Sequence, residues 1–327
     1  MRGVASSPIS VIITANLEDE ARLKNFVYMM QSIAMQQEAS FHKLYIGLYV
    51  GVKDHQVNFQ ELFTVAAGKR WECVKFQSFK PHFVQMQYLL THKIKDDDQW
   101  ILFTHDDGLW HPLRVFVYEK HVKHINMHER EEHKVSCIAC PENTHYKTAK
   151  HIPLTSYADV DQAIGRQELI IACKTPDKQS ILELYNICIP VSVLREFFHA
   201  THHELWCNAY AEVALCDWLM EYRHEENYRT IQFQVKTWTY MWRKADPTYT
   251  VLSGSQLSAA HFMCKHPAEL VIYMDVLAQM SCVFSMKETA KVLFDNMTRG
   301  QPADIITMLD DKLQSKIREK PWVIKPF

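Results

Sequence analysis

Glycine is scarce in this chain, with eight residues in 327, at positions 3, 47, 51, 68, 108, 165, 254 and 300. None falls in a GxGxxG or GxxxxGK[ST] spacing, which excludes the dinucleotide fingerprint and the P-loop, the two glycine-built cradles for a pyrophosphate. A nucleoside diphosphate held here needs its charge cancelled by other means, and a divalent cation on carboxylates is the chemical alternative. An excess of positive charge is missing too. With 36 Lys and Arg against 38 Asp and Glu, the dense field that attracts a polyanion is lacking, so nucleic acid is excluded as the main partner. No apolar stretch reaches the length of a bilayer span, and the run ahead of Asn16 in "MRGVASSPISVIITAN" is too short for a signal h-region, so the expectation is a cytoplasmic protein. Nine cysteines, scattered through apolar segments, read as reduced core residues rather than a disulfide framework. Cys137 and Cys140 form a lone CxxC in a segment patterned as a buried strand, with no second pair at zinc-ribbon spacing. "NMT" at Asn296 fits a glycosylation sequon, which without a secretory signal reads as chance.

What is present is apolar residues in ordered alternation. At 47% hydrophobic the chain can bury a large core as one domain, or one domain with an appendage. "ISVIIT" (9–14) is a β-branched run suited to a strand buried on both faces. Asn16 reads as the N-cap of a following helix, with Asp19 three residues on and Leu23, Val27, Met30 and Ala34 at helical spacing. Strands follow at 43–50, 71–76 and 100–104. Helical stretches lie between them at about 56–67 and from Pro81, where Phe83, Met86, Leu90 and Ile94 form a stripe. This alternation predicts an α/β fold with a doubly wound, mainly parallel sheet. Later come strands in "VSCIA", "YNICIPVSVL" and "IQFQVKTW", a helix near 208–223, and a wholly helical run from 255. The expected division is 1–254 for the sheet domain and 255–327 for a C-terminal helical extension.

The chemistry concentrates in "WILFTHDDGLWHP" (100–112). Adjacent carboxylates at Asp106 and Asp107, where a buried strand leaves the core, must be hydrated, paired or bound to a cation. In doubly wound sheets ligands bind beyond the carboxyl ends of the strands, and this pair sits at such an end. The rival cluster Asp96-Asp97-Asp98 precedes the same strand and is expected as a solvated turn at the opposite edge.

In order and in residues, these segments resemble the GT-A glycosyltransferases, specifically the family-2-like group. "SVIITANLEDE" is similar to that family's opening strand and Thr-x-Asn turn. "WILFTHDDGLWHP" is similar to its strand ending in the acidic DXD motif, "CNAYAEVALCDWL" to its catalytic helix, and "WTYMWRKADPTYT" to the segment that closes near the diphosphate. The resemblance covers about residues 8–250 and implies a Rossmann-like GT-A sheet. It also implies metal-dependent transfer of a sugar from a nucleotide-sugar donor to a hydroxyl of a glycan or glycoconjugate, with inversion.

By this resemblance Asp107 is the direct ligand of Mn2+ or Mg2+, and Asp106 reaches the ribose or a metal-bound water. Thr14, Ala15, Asn16 and Tyr49 line the donor, Arg243 and Lys244 face the phosphates, and Glu212 is the base that takes the acceptor proton, with Asp217 its alternative. The two carboxylates lie about 140° apart around a helix, so they do not face one substrate together. Where the family has a uracil-binding aspartate this chain has Tyr49, Val50 and Gly51, and Met86 stands in place of a helix arginine, which leaves the base open.

Other features have plainer readings. Trp238, Tyr240 and Trp242 alternate at strand period and suit either a sugar face or a half-buried strand. His121, His124 and His128 share a helix face that reads as polar surface rather than zinc ligands, and His199, His202 and His203 border either that surface or an acceptor site. The terminal stripe with Lys312, Lys316, Arg318, Lys320, Trp322 and Phe327 suits peripheral contact with an anionic membrane, or packing on its own domain or a second subunit. The alternatives to the enzyme are a catalytically silent sugar- or protein-binding module on the same scaffold, and a nucleotidyltransferase.

Overall fold

The first strand, β1 (Ile9–Leu17), is buried at every residue, as a β-branched run covered on both faces requires. The structure is a computed structural model that describes residues 7–36, 40–53, 55–97, 99–104, 106, 110, 114–128, 134–139, 172–174, 184, 187–219, 228–234 and 267–319. The remaining strands are β2 (Leu44–Val50), β3 (Trp71–Phe76), β4 (Trp100–Thr104), β5 (Lys134–Ala139), β6 (Ala172–Lys174), β7 (Ile187–Pro190) and β8 (Tyr228–Gln234). They form one sheet in the order β3-β2-β1-β4-β7-β5-β8-β6. The pairs β3/β2, β2/β1, β1/β4 and β5/β8 are parallel, while β7 runs antiparallel to β4 and β5, and β6 antiparallel to β8. The expected mainly parallel α/β sheet is therefore present. Strand order reverses between β1 and β4, and at such a switch point the loops after the strands diverge and leave a crevice.

Alternation along each strand builds two apolar layers. Val11, Ile13, Ile46, Leu48 and Leu102 face a layer containing α1 (Glu20–Ala34), α2 (Phe59–Ala67) and α4 (Arg114–His128), where Phe26, Phe63 and Tyr118 are buried. Ile12, Tyr45, Ile101 and Phe103 face the other, containing α3 (His82–His92), α5 (Val191–Ala200), α6 (His203–Trp206) and α7 (Ala211–Asp217). Burying each of these large side chains contributes about 1.5–3 kcal/mol. The C-terminal helices α8 (Pro267–Cys282), α9 (Lys287–Thr298) and α10 (Ala303–Glu319) share this second cluster. Leu309 and Leu313 of α10 are buried there, with Ile305 and Ile317 packed alongside. Lys316 forms an ion pair with Asp275 of α8, so this cation serves packing within the chain. Lys320, Trp322, Phe327 and the junction at 254–255 lie outside the described residues. Among the described residues no helix is long and apolar enough to cross a membrane.

Two boundaries differ from the sequence reading. Asn16 is not the cap of α1: β1 continues to Leu17 because Asn16 and Leu17 stay paired with Tyr49 and Val50 of β2. The cap is Asp19, whose side chain accepts from the Arg22 N–H at 2.8 Å. Among the described residues of "YNICIPVSVL", Ile187–Pro190 is strand, and Val191 onward is α5. Pro190, with its fixed φ, stands at the N-cap of that helix, where a missing N–H costs nothing. The turn before β4 is tied rather than simply solvated, since Asp97 pairs with Arg195 of α5 and Asp96 accepts from Gln99.

Gly47 of β2 shows how tightly α3 lies on the sheet. An added Cβ would stand 2.6 Å from Gln85 Oε1 and 3.1 Å from Gln85 Cβ. Gln85 has little freedom to retreat, because its Nε2 donates to Asn16 Oδ1 and to the Lys80 carbonyl, each at 2.9 Å. Gly47→Ala is expected to cost about 1–3 kcal/mol, read as a lower urea midpoint with an unchanged m value.

Candidate active site

Thr14, Ala15 and Asn16 occupy the carboxyl half of β1, and Asp106 follows the end of β4 beside them, so the switch-point crevice collects them at one sheet edge. Strand alternation then divides their side chains. Ala15 is buried in the α1 layer, leaving only its backbone for the crevice. Thr14 and Asn16 point toward α3. Asn16, fully buried, donates from Nδ2 to the Lys80 carbonyl at 3.0 Å and accepts from Gln85 at 2.9 Å. Thr14 Oγ1 is hydrogen-bonded to His82 Nδ1 at 3.0 Å. These bonds join the end of β1 to the start of α3 at the switch-point edge.

Asp106 is buried, with 7% of its surface exposed. One carboxylate oxygen lies 3.7 Å from Arg22 Nη1, and the same guanidinium nitrogen donates to the Asn16 carbonyl at 3.2 Å and stands 3.9 Å from Glu18. Arg22 thus cross-links the β1–α1 turn to the segment after β4. The sequence reading passed over it, although a signal exists: a cation in the first turn of a helix opposes the helix dipole, and is expected there when an anion holds it.

The far end of the acidic segment is also anchored. Trp110 is buried, its backbone N–H donates to Ser32 Oγ of α1 at 2.9 Å, and its ring lies under the Arg114 guanidinium, 4.5 Å from the centroid. Arg114 in turn donates to the Phe103 carbonyl at 3.4 Å. Asp107 falls between these anchors in the sequence but outside the described residues, as do Arg243, Lys244, Trp238, Tyr240, Trp242 and Cys140.

Tyr49, near the end of β2, meets Phe79 edge to face with ring centroids 6.5 Å apart. Phe79 is 49% exposed, an aromatic face left in water beside the end of β2. It too escaped the sequence reading, because a single phenylalanine between strand and helix carries no periodic signal.

The two candidate bases are carried by α7 on different sides. Glu212, in its first turn, accepts from the Leu184 N–H at 3.1 Å. Asp217 is buried toward α8, where its charge adds to burial in raising the pKa of Tyr273, whose ring packs against Tyr210 at 5.2 Å. Of the histidines, His203 faces Cys207 within its own turn at 3.5 Å, and His121, His124 and His128 lie along α4.

A hard cation such as Mn2+ or Mg2+ takes oxygen donors, and the Asp106 carboxylate at the ligand edge is a donor of that kind. Among the described residues no group of three or more His, Cys, Asp or Glu side chains converges on a point. The described residues thus supply one hard oxygen donor at this edge, the Asp106 carboxylate.

His82 carries a pH dependence. Burial first, and the Arg22 charge second, lower its pKa to about 4, with the bond to Thr14 opposing in part. The unfolded imidazole titrates near 6.5, so below that pH the unfolded chain binds a proton that the folded chain refuses. Stability should therefore be unaffected above about pH 7 and fall by about 2–3 kcal/mol as the pH drops toward 4, the residual exposure of His82 trimming the full value. Urea midpoints across this window should show the slope, and His82→Asn should remove this part of it.

No family model matches this chain, and no curated protein matches it. Several solved structures are similar in architecture. TarS 1-349 from S. aureus is 9% identical, covering 94% of this chain and 89% of that one at a TM-score of 0.43. The mannosyltransferase PcManGT from Pyrobaculum calidifontis, in complex with GDP-Man and Mn2+, is 12% identical over 98% of this chain and 84% of its own, at 0.49. Glucosyl-3-phosphoglycerate synthase from Mycobacterium tuberculosis, in complex with phosphoglyceric acid, is 13% identical over 79% of each chain, at 0.42.

Proposed function

We propose that this chain is a GT-A glycosyltransferase that moves a sugar from a nucleoside-diphosphate donor to a hydroxyl of a glycan or glycoconjugate. One observation carries the reading: an acidic pair follows β4 at the switch point of a mainly parallel sheet, in a chain with no glycine cradle for phosphate. Asp107 with Asp106 would hold a Mn2+ or Mg2+ ion, whose chemistry is to neutralise the charge that develops on the departing diphosphate.

The chain's own residues supply the rest. Backbone groups of Thr14, Ala15 and Asn16 border the nucleoside, and Tyr49 with Phe79 offers an aromatic face on which a base can stack. Arg22 offsets the carboxylate charge near the phosphates, and Arg243 and Lys244 add cations over them. Glu212 takes the proton from the acceptor hydroxyl as that oxygen attacks the anomeric carbon, which inverts its configuration. Asp217 is the alternative base. Its packing toward α8 weighs against it, since a base must reach its proton.

A second reading rests on Glu212 itself, which accepts a backbone N–H as a structural carboxylate does. On that reading the chain is a sugar- or protein-binding module on the same scaffold, without transfer. Calorimetric titration of nucleotide sugars with and without Mn2+ separates the two: metal-dependent donor binding supports the enzyme, and absence of all donor binding supports the module.

With a donor found by that screen, Asp107→Ala should lower kcat/KM by about a hundred- to thousandfold, or roughly 3–4 kcal/mol of transition-state stabilisation. Unchanged transfer rejects the metal assignment. Glu212→Gln should lower kcat by about a hundredfold or more while leaving donor affinity intact, and NMR of the product should show the opposite anomer from the donor.

A further inference from the structure

On the α1 and α2 side of the sheet, a cavity of about 490 Å³ opens between the outer face of α1 and the connection from β2 to α2. Its volume lies within the range of small-molecule sites, and none of its lining residues belongs to the crevice described above. Leu23 and Val27 of α1, with Val52 and Val57 of the connection, make an apolar floor.

The rim is polar and mainly cationic. Lys24 and Lys53 both border it and are exposed, and among the described residues neither has an ion-pair partner; Lys24 Nζ lies 5.8 Å from the Tyr28 ring centroid. Glu20 is the one carboxylate among the described lining residues. His55 adds a donor. Its Nδ1 is buried with no hydrogen-bond partner among the described residues, while its ring packs edge-on against Phe59 at 5.1 Å. An orphaned lone pair is tolerated better than an orphaned N–H, so the favoured tautomer carries the proton on Nε2. An apolar floor beside two ammonium groups, which outnumber the one carboxylate among the described lining residues, and an imidazole N–H is complementary to a molecule with one anionic group on an apolar body.

We propose that this cavity is a binding site, separate from the switch-point crevice, for a small organic anion: a carboxylate, sulfonate or phosphate carried on an aromatic or aliphatic body. The anionic group sits between Lys24 and Lys53, and the body covers the floor formed by Leu23, Val27, Val52 and Val57.

Fluorescence titration of the full chain tests this with two probes that share an aromatic body. 8-Anilinonaphthalene-1-sulfonate carries the anion, and N-phenyl-1-naphthylamine does not. The sulfonate should bind with a stoichiometry near one and about tenfold more tightly than the uncharged amine, as two exposed charge contacts allow. Lys24→Glu with Lys53→Glu should weaken the sulfonate about tenfold and leave the amine unchanged, and Val27→Trp, which fills the floor, should weaken both. Should the double variant lower the melting temperature, Lys53→Glu alone carries the test, since that side chain is exposed. Failure of the native chain to bind the sulfonate, equal affinity for the two probes, or a sulfonate affinity untouched by charge reversal would overturn the proposal.

Discussion

Burying the carboxylate of Asp106 is the electrostatic step on which the crevice depends, and Arg22 is the cation that offsets it. An isolated buried carboxylate would be driven toward its neutral form by the loss of hydration. The guanidinium at 3.7 Å lowers that cost. Because Arg22 also donates to the Asn16 carbonyl, the same side chain ties the two strands that flank the switch point. Charge compensation and crevice geometry are one arrangement here, and neither strand end can move without disturbing the other.

Around that contact, the elements are fastened from both sides of the sheet. On the α3 side, Asn16, Gln85 and the Lys80 carbonyl form a closed set of hydrogen bonds, and His82 adds a fourth tie through Thr14. On the α1 side, Trp110 returns the chain to Ser32 after the acidic pair. Asp106 and Trp110 are therefore each tied to α1, one through Arg22 and the other through Ser32.

The aromatic pair Tyr49 and Phe79 suggests how the base is recognised under the proposed function. Stacking is tolerant of base identity, because every base has a π face. The chain carries no aspartate at the end of β2, where Tyr49 and Val50 stand instead. Under that proposal, recognition at this edge would rest on surface contact rather than on a charged hydrogen-bond pair. The cavity on the opposite face of α1 uses a different logic, with cations at a rim and an apolar floor.

Much of the fold is legible in the linear chain because its causes are local. A β-branched run at 9–14 and apolar runs at 43–50, 71–76 and 100–104 mark strands, periodic apolar residues mark α1 and α3, and an acidic pair follows the fourth run. What the chain alone left undecided depends on partners far apart in sequence. Whether Asn16 caps a helix or stays in β1 is decided by pairing with Tyr49. The neighbours of Thr14 and Asp106 are chosen when α3 and α1 close on the sheet. The antiparallel insertion of β7 between β4 and β5 follows from docking against two strands at once. Local patterning carries the energy of burial, which any window of residues reveals; the directed contacts of charge and hydrogen bonding exist only once distant segments are brought within a few ångströms of each other.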